Sequence, residues 1–291
     1  MWKPILRPMA AVLTIGVCAT AGSTTEAARS VLSQANDSVL KTQLLVTWYG
    51  NPNSPRMGVL GRYTGTELAE GLRKQASAYQ GLTSKTVIAG YELVAVVAQN
   101  LPGGDAMWRR HESSEVIDSL LQQARANGFK LVLDVQVGQS TVPAELQFLR
   151  PYLEQPDVYL ALDPEFDMAP DQRPGVEIGQ MQASDVTYAM SFLGQLITEN
   201  HLPHKVLIVH QFTNHMLPDK AQIGRGPLVD LVLDMDGFGS QSLKRDTYRM
   251  ILKQKALQFA GIKLFYEQDR DLFTPEQVMQ MQPQPSVVIY Q

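Results

Sequence analysis

The stretch Leu160-Ala-Leu-Asp-Pro-Glu-Phe166 decides how this chain folds. The apolar run from Val158 to Leu162 is long enough for a buried strand, and it ends in two carboxylates at alternate positions, Asp163 and Glu165. Side chains on a strand alternate between faces, so positions i and i+2 point the same way. Pro164 has no N–H to give to a ladder, so regular pairing stops there. The expectation is a strand that leaves a core and presents two acids at its C-terminal end. In α/β proteins that end carries the active site.

The same design recurs along the chain. Leu131-Val-Leu-Asp134-Val-Gln136, Leu207-Ile-Val-His210-Gln211 and Leu231-Val-Leu-Asp234-Met-Asp236 are all apolar runs that finish in polar groups. A solvated strand would alternate polar residues along its whole length, whereas these cluster at one end. An earlier run finishes in Trp48-Tyr49, aromatics of the kind that stack on sugars at a barrel mouth. A later one, Lys263-Leu-Phe-Tyr266-Glu267, adds Tyr266 and Glu267. Its phase is open: either Lys263, Phe265 and Glu267 face inward, or Ile262, Leu264 and Tyr266 do. The loop from Gln99 to Glu112 carries Asp105, Trp108, Arg109, Arg110 and His111 and is expected at the rim, within reach of a substrate.

Strands are expected at Leu44–Tyr49, Tyr91–Ala98, Lys130–Val137, Val158–Asp163, Lys205–His210, Asp230–Met235, Ile262–Tyr266 and Ser286–Tyr290. Between them, 3.6-residue periodicity predicts helices at Glu67–Tyr79, Ser114–Asn127, Ala144–Leu153, Ser184–Asn200, Leu243–Phe259 and Pro275–Met281. Thr213 to Leu228 holds Pro218, Gly224, Gly226 and Pro227, and reads as a loop with a short helical turn. Strands and helices in this alternation point to a (β/α)8 TIM barrel over residues 43–291. A doubly wound sheet would show a Gly-rich phosphate turn after its first strand, and Gly50-Asn-Pro-Asn is not one. No cofactor is called for. No eighth helix follows the last strand, and residues 26–42 are expected to cover that gap or to plug the barrel bottom.

The chain has 291 residues, 44% of them hydrophobic, and a formal charge of −4 with no basic block. Nucleic acid is therefore not an expected partner. Residues 1–21 read as a signal peptide, with Lys3 and Arg7 before the apolar run Met9–Ala19 and a small-x-small site at Ala19-Thr20-Ala21. The apolar run is too short to span a bilayer, so no stable membrane span is expected after cleavage. A lipoprotein anchored through Cys18 is the lesser alternative, because Val17 is a poor residue before a lipidated cysteine. Cleavage removes Lys3, Arg7 and Cys18, taking the charge from −4 to −6 and leaving no cysteine. The expected location is periplasmic or extracellular, reached by an exported protein without disulfides. Residues 22–42 form a partly helical extension.

Paired carboxylates at a barrel mouth suit glycoside hydrolysis, in which one carboxyl protonates the leaving oxygen and another acts opposite it. Glu165 is the expected general acid, crowded by Asp134, Asp163, Asp234 and Asp236, and Asp163 is expected to stay ionised and orient it. Asp236 is the favoured opposing carboxylate, with Asp234 and Glu267 as the others. Tyr49, Gln136, His210, Gln211, Tyr266, Glu267 and Arg109 are the expected contacts to a carbohydrate substrate. A second reading is a divalent-metal hydrolase built on Glu165, His210 and Asp236. A third is a carbohydrate-binding barrel without catalysis.

The Asp163-Pro-Glu165 strand end resembles barrel glycosidases whose fourth strand ends in Asp-x-Glu, such as the chitinase-type and Chalaropsis-type lysozyme families. The longer chitinase pattern, with further Asp residues upstream on that strand, is absent. Met57-Gly-Val-Leu-Gly, His210-Gln-Phe, Asp234-Met-Asp-Gly-Phe-Gly and Lys263-Leu-Phe-Tyr, together with Leu160–Phe166, resemble a family of exported bacterial barrel proteins of uncharacterised activity. That resemblance implies the fold and export, not a reaction. N-terminal sequencing of protein from its native host should find a mature chain starting at Gly22; a retained Met1 or a lipidated Cys18 is the contrary result.

Overall fold

The computed structural model describes residues 38–224, 226–253 and 259–291. The expected signal peptide and most of the extension lie outside them. Helix α1 (Val39–Thr42) runs directly into strand β1 (Gln43–Gly50), followed by α2 (Gly65–Ser77) and β2 (Thr86–Ala98). A short strand, β3 (Arg109–His111), precedes α3 (Ser114–Ala126) and β4 (Lys130–Val135). Then come α4 (Val142–Leu153), β5 (Val158–Leu162), α5 (Ala183–Asn200) and β6 (Lys205–Gln211). The chain continues through β7 (Val229–Met235), α6 (Gln241–Leu252), β8 (Phe259–Leu264), α7 (Pro275–Met279) and β9 (Val287–Tyr290).

Strand order is β1-β9-β8-β7-β6-β5-β4-β2, and β1 pairs with β2 to close the ring. Every one of these pairings is parallel. This is a closed (β/α)8 barrel. Strand β3 is an addition that sequence periodicity did not register: it pairs antiparallel on β2, so the expected rim loop is partly sheet. The expected helix Leu243–Phe259 ends at Leu252, and Phe259 instead opens β8 in register with Val232. The ladder to β7 claims Phe259.

The barrel interior is graded from end to end. The inward row of β1 is Leu45, Thr47 and Tyr49, and that of β5 is Tyr159, Ala161 and Asp163. On β7 it is Asp230, Val232, Asp234 and then Asp236. The lower and middle positions form an apolar cluster that includes Leu45, Val132, Tyr159, Ile208, Val232 and Ile289. Leu40 of α1 is fully buried in that cluster. Its backbone N–H donates to Asp230 Oδ2 at 2.9 Å, and its carbonyl accepts from Lys85 Nζ at 2.6 Å. Residues just before β1 thus stopper the barrel bottom, one of the two places expected for the extension.

Upward from there the inward side chains become polar. Gly261 of β8 makes room for this change: a Cβ at that position would stand 2.7 Å from Asp234 Oδ1. Replacing Leu40 by Ala should leave a cavity at the stopper and cost about 2–4 kcal/mol. Urea unfolding of the two proteins at one pH measures that difference, and an unchanged midpoint would mean that α1 does not hold the bottom closed.

Candidate active site

At the C-terminal ends of the strands, Tyr49, Gln136, Asp163, Glu165, Asp236 and Lys263 converge on one pocket of about 490 Å³. Strand β5 ends at Leu162, and a 3-10 turn over Pro164–Phe166 carries Glu165 out of the ladder. Asp163 caps that turn, its Oδ1 accepting from the Glu165 N–H at 3.3 Å. Gln136 Nε2 lies 3.4 Å from Asp163 Oδ2, while its own Oε1 accepts from the Ala98 N–H at 3.0 Å.

Beneath the pocket lies a buried charged layer. His210 sits between carboxylates, with Nδ1 3.0 Å from Asp234 Oδ2 and Nε2 3.1 Å from Glu92 Oε1. The second contact is close but poorly aligned, and both of its atoms lack a hydrogen-bonding partner of good geometry. Asp134 Oδ1 and Asp236 Oδ2 each stand 3.8 Å from the imidazole. Glu92 is further held by the Thr47 hydroxyl at 2.7 Å, and Asp134 by the Tyr49 hydroxyl at 3.0 Å. Lys263 Nζ is 3.2 Å from Asp236 Oδ2 and only 3.4 Å from the centre of the Tyr49 ring.

Burial and like charge set the protonation of this layer. Burial and the neighbouring Asp236 push Glu165 up to about 7. Burial, then Asp134, pushes the Asp163 carboxyl well above the usual range. The expectation of an ionised Asp163 is therefore corrected: it holds its proton, because it shares a dry mouth with other acids. Asp134 is raised by burial against the opposing pull of His210. Burial also raises Asp234, to about 6, with its hydrogen bond to His210 working the other way. For His210 itself, burial and Lys263 favour the neutral ring. The hydrogen bond to Asp234 and the close Glu92 and Asp134 carboxylates outweigh them and raise the ring well above its ordinary value, favouring imidazolium. Lys263 is likewise held charged, because Asp236 and the other acids overcome its burial.

Four expected contacts are placed elsewhere. Gln211 points out of the barrel, where it donates to the Thr213 carbonyl at 2.8 Å and accepts from Lys220 Nζ at 3.1 Å. Tyr266 stacks on Tyr290 and donates to Gln75 Oε1 at 2.9 Å. Glu267 pairs with Arg62 at 2.8 Å, leaving Gln268 rather than Glu267 on the pocket wall. Arg109 is spent on Glu145 at 2.8 Å and on Asp105, bracing the rim. Gln211, Tyr266 and Glu267 were assigned from their nearness to a strand end, which does not reveal phase, and Arg109 from its place in a rim loop. Trp48 also faces away: it is buried against Gly71 and stacks on Tyr63.

Glu92 escaped the sequence reading, and Lys263 entered it only as one of two open phases. Glu92 is a lone acid within the apolar run of β2, and Lys263 a lone cation within that of β8. Such a charge inside a strand that is otherwise buried was the available signal, since it must be paired or lie inside a barrel. The pairing of Lys263 with Asp236 fixes the open phase of β8 as Lys263 inward.

The expected metal trio of Glu165, His210 and Asp236 is not the one the fold assembles. Among the described residues, His210, Asp234 and Asp236 bring one ligand atom each within 4.8 Å of one another, without Glu165. This set does not suit a metal as it stands. The Lys263 ammonium already occupies one side of Asp236, so a cation there would meet a like charge at close range. No helix among the described residues is long and apolar enough to cross a membrane.

No family model and no curated protein matches this chain, so its likeness to exported bacterial proteins rests on the quoted stretches alone. Among solved structures it is similar to "putative Chitinase A" from Streptomyces coelicolor, at 14% identity over 88% of this chain and 85% of that one, with a TM-score of 0.32. It is also similar to a GH18 chitinase from Pseudoalteromonas aurantia, at 10% identity over 84% and 79%, again with a TM-score of 0.32. At that score the likeness carries no argument about chemistry.

The proton on Asp163 makes a measurable contribution to stability. The unfolded carboxyl releases its proton near pH 4 and the folded one far higher, so between those values the folded state binds more protons. Stability then falls as pH rises through that window and levels off above the folded value. Asp163→Asn imitates the protonated acid and should flatten this slope in thermal unfolding between pH 5 and 8. An unchanged slope would place the extra proton elsewhere.

Proposed function

We propose that this protein is a glycoside hydrolase acting on a bacterial cell-surface or extracellular polysaccharide, with Glu165 as general acid and Asp236 as the opposing carboxylate. The observation that carries the reading is the meeting of Glu165, Asp163 and Asp236 in one pocket at the C-terminal end of the barrel. Glu165 is half-buried and lines the pocket, and no protein donor engages its carboxyl among the described residues. Its value near 7 lets it deliver a proton to a glycosidic oxygen at neutral pH. Asp236 lines the pocket, paired on Oδ2 by Lys263, and its role in this reading is to supply negative charge toward an oxocarbenium-like centre. Asp163, carrying its own proton, shapes the turn that aims Glu165. Expected contacts that remain are Gln136 on the pocket wall and Tyr49 on its floor, with His210 acting from beneath through the carboxylates.

Glu165→Gln keeps the shape of the acid and loses its proton. It should slow cleavage of a natural glycan by about 10²–10⁴ while sparing aryl glycosides, whose leaving groups need little protonation. In the wild type, activity should decline as pH rises through about 7, because the acid limb follows Glu165. A first screen uses cell-wall and exopolysaccharide glycans. Full activity of Glu165→Gln on a glycan that the wild type cleaves would overturn the assignment. Loss of activity on chelation would transfer it to the metal reading at His210, Asp234 and Asp236.

A further inference from the structure

The Asp236 strand end continues into Gly237-Phe238-Gly239, and Phe238 is 61% exposed on the wall of the same pocket. Leu243, the first apolar residue of α6, is 56% exposed beside it. Two large apolar side chains left in water next to a charged pocket cost hydrophobic free energy that a fold usually recovers by burial. This loop has no freedom to bury them, because one carboxylate pins it. Asp269 Oδ1 accepts from the Gly239 N–H at 3.0 Å and from Lys244 Nζ at 3.0 Å. Its Oδ2 accepts from Lys244 Nζ at 2.7 Å and from the Phe265 N–H at 3.0 Å. Lys244 in turn donates to the Lys263 carbonyl at 2.8 Å. Asp269 therefore ties together the loop after β7, the start of α6 and the end of β8. Gly239 sits at φ +141°, a conformation that side chains avoid, and this shape of the loop presents Phe238 outward. Behind it, Phe265 meets the Phe238 ring edge-on at 5.7 Å and supports it.

The aromatics read from the sequence as candidates for stacking are occupied. The face of Tyr49 lies under the Lys263 ammonium, and Trp48 is buried on the outer side of β1. Of the aromatics that line the pocket, Phe238 is the most exposed, with Phe166 and Phe212 only partly so, and its loop is rigidly held.

We propose that Phe238, backed by Phe265 and fixed by Asp269, is a stacking platform for a sugar ring adjacent to the bond cleaved, and that the substrate is an oligomeric or polymeric glycan of gluco-type rings. Equatorial hydroxyls leave such rings with an axial C–H face, which matches a phenyl face in polarity and width. A platform on the rim reads the second ring of a chain, not the first. It thus selects chains over monosaccharide glycosides. This inference rests on the glycosidase reading for the word "cleaved" but is tested by binding alone.

The experiment is calorimetric titration of the Glu165→Gln protein with β-1,4-linked gluco-configured oligosaccharides, plain and N-acetylated, of two to six rings, and with a monosaccharide aryl glycoside. A longer oligomer should bind more tightly than the aryl glycoside. Adding Phe238→Ala should weaken the oligomer by at least about tenfold, roughly 1.4 kcal/mol, and leave the aryl glycoside unchanged. Phe238→Tyr should retain the affinity. Far-ultraviolet dichroism and the thermal midpoint confirm that the exposed position tolerates the change. Oligomer binding that ignores Phe238→Ala overturns the platform and leaves the role of Glu165 standing. Failure of every oligomer to bind overturns it too. Phe238-dependent binding by a wild type that cleaves nothing upholds the platform and removes the glycosidase reading.

Discussion

The upper half of this barrel depends on one electrostatic compromise. Glu92, Asp134, Asp163, Asp234 and Asp236 are withdrawn from water inside a ring of parallel strands, and two cations, His210 and Lys263, are buried with them. Isolated carboxylates in such a place would be prohibitively costly. Partial neutralisation makes the layer tolerable. His210 and Lys263 are held charged, while Asp163 meets the shortage of cations by holding its proton. Removing either cation would leave acids without compensation, so the fold and the site share a single charge balance.

That balance gives neighbouring acids different duties. Asp134 and Asp234 lie deep and engage Tyr49 and His210, so they support the layer without meeting a ligand. Glu165, one turn beyond the end of β5, reaches the pocket and keeps a proton near neutrality. Asp236 spans both regions, bound to Lys263 on one oxygen and lining the pocket above the layer. Distance from the strand end thus separates acids that hold the barrel from acids that face a substrate. Asp269 repeats the pattern outside the barrel, where its entire bonding capacity goes into fixing loops.

The fold was legible because each strand carries its apolar run on one side of a sharp polar boundary, and α-helices fill six of the seven intervals between the barrel strands. Asp163, Asp236, Tyr49 and Gln136 were legible because polar and aromatic groups gather at the strand ends, whereas Glu165 reaches the same pocket through a 3-10 turn and not through the i and i+2 alternation expected of a strand. Gln211 and Tyr266 were misplaced for the complementary reason. A strand end alone does not show which phase is inward, and outward residues at the same height meet helices instead. Glu92 went unread, and the phase of Lys263 stayed open, because attention to strand ends passes over charges in the middle of a run. The proton on Asp163 depends on how many acids share its depth, which is a property of the closed ring and not of any one segment.

The stopper at Leu40 has a bearing on traffic. A barrel closed below by that side chain, and bounded above by the Phe238 wall, admits any ligand and solvent through the same opening. A glycan seated across the acids would stand between bulk solvent and the reacting carbon. Under the hydrolytic reading, the attacking water is therefore either already lodged in the pocket when the ring arrives, or follows the departing half of the chain into the space it vacates.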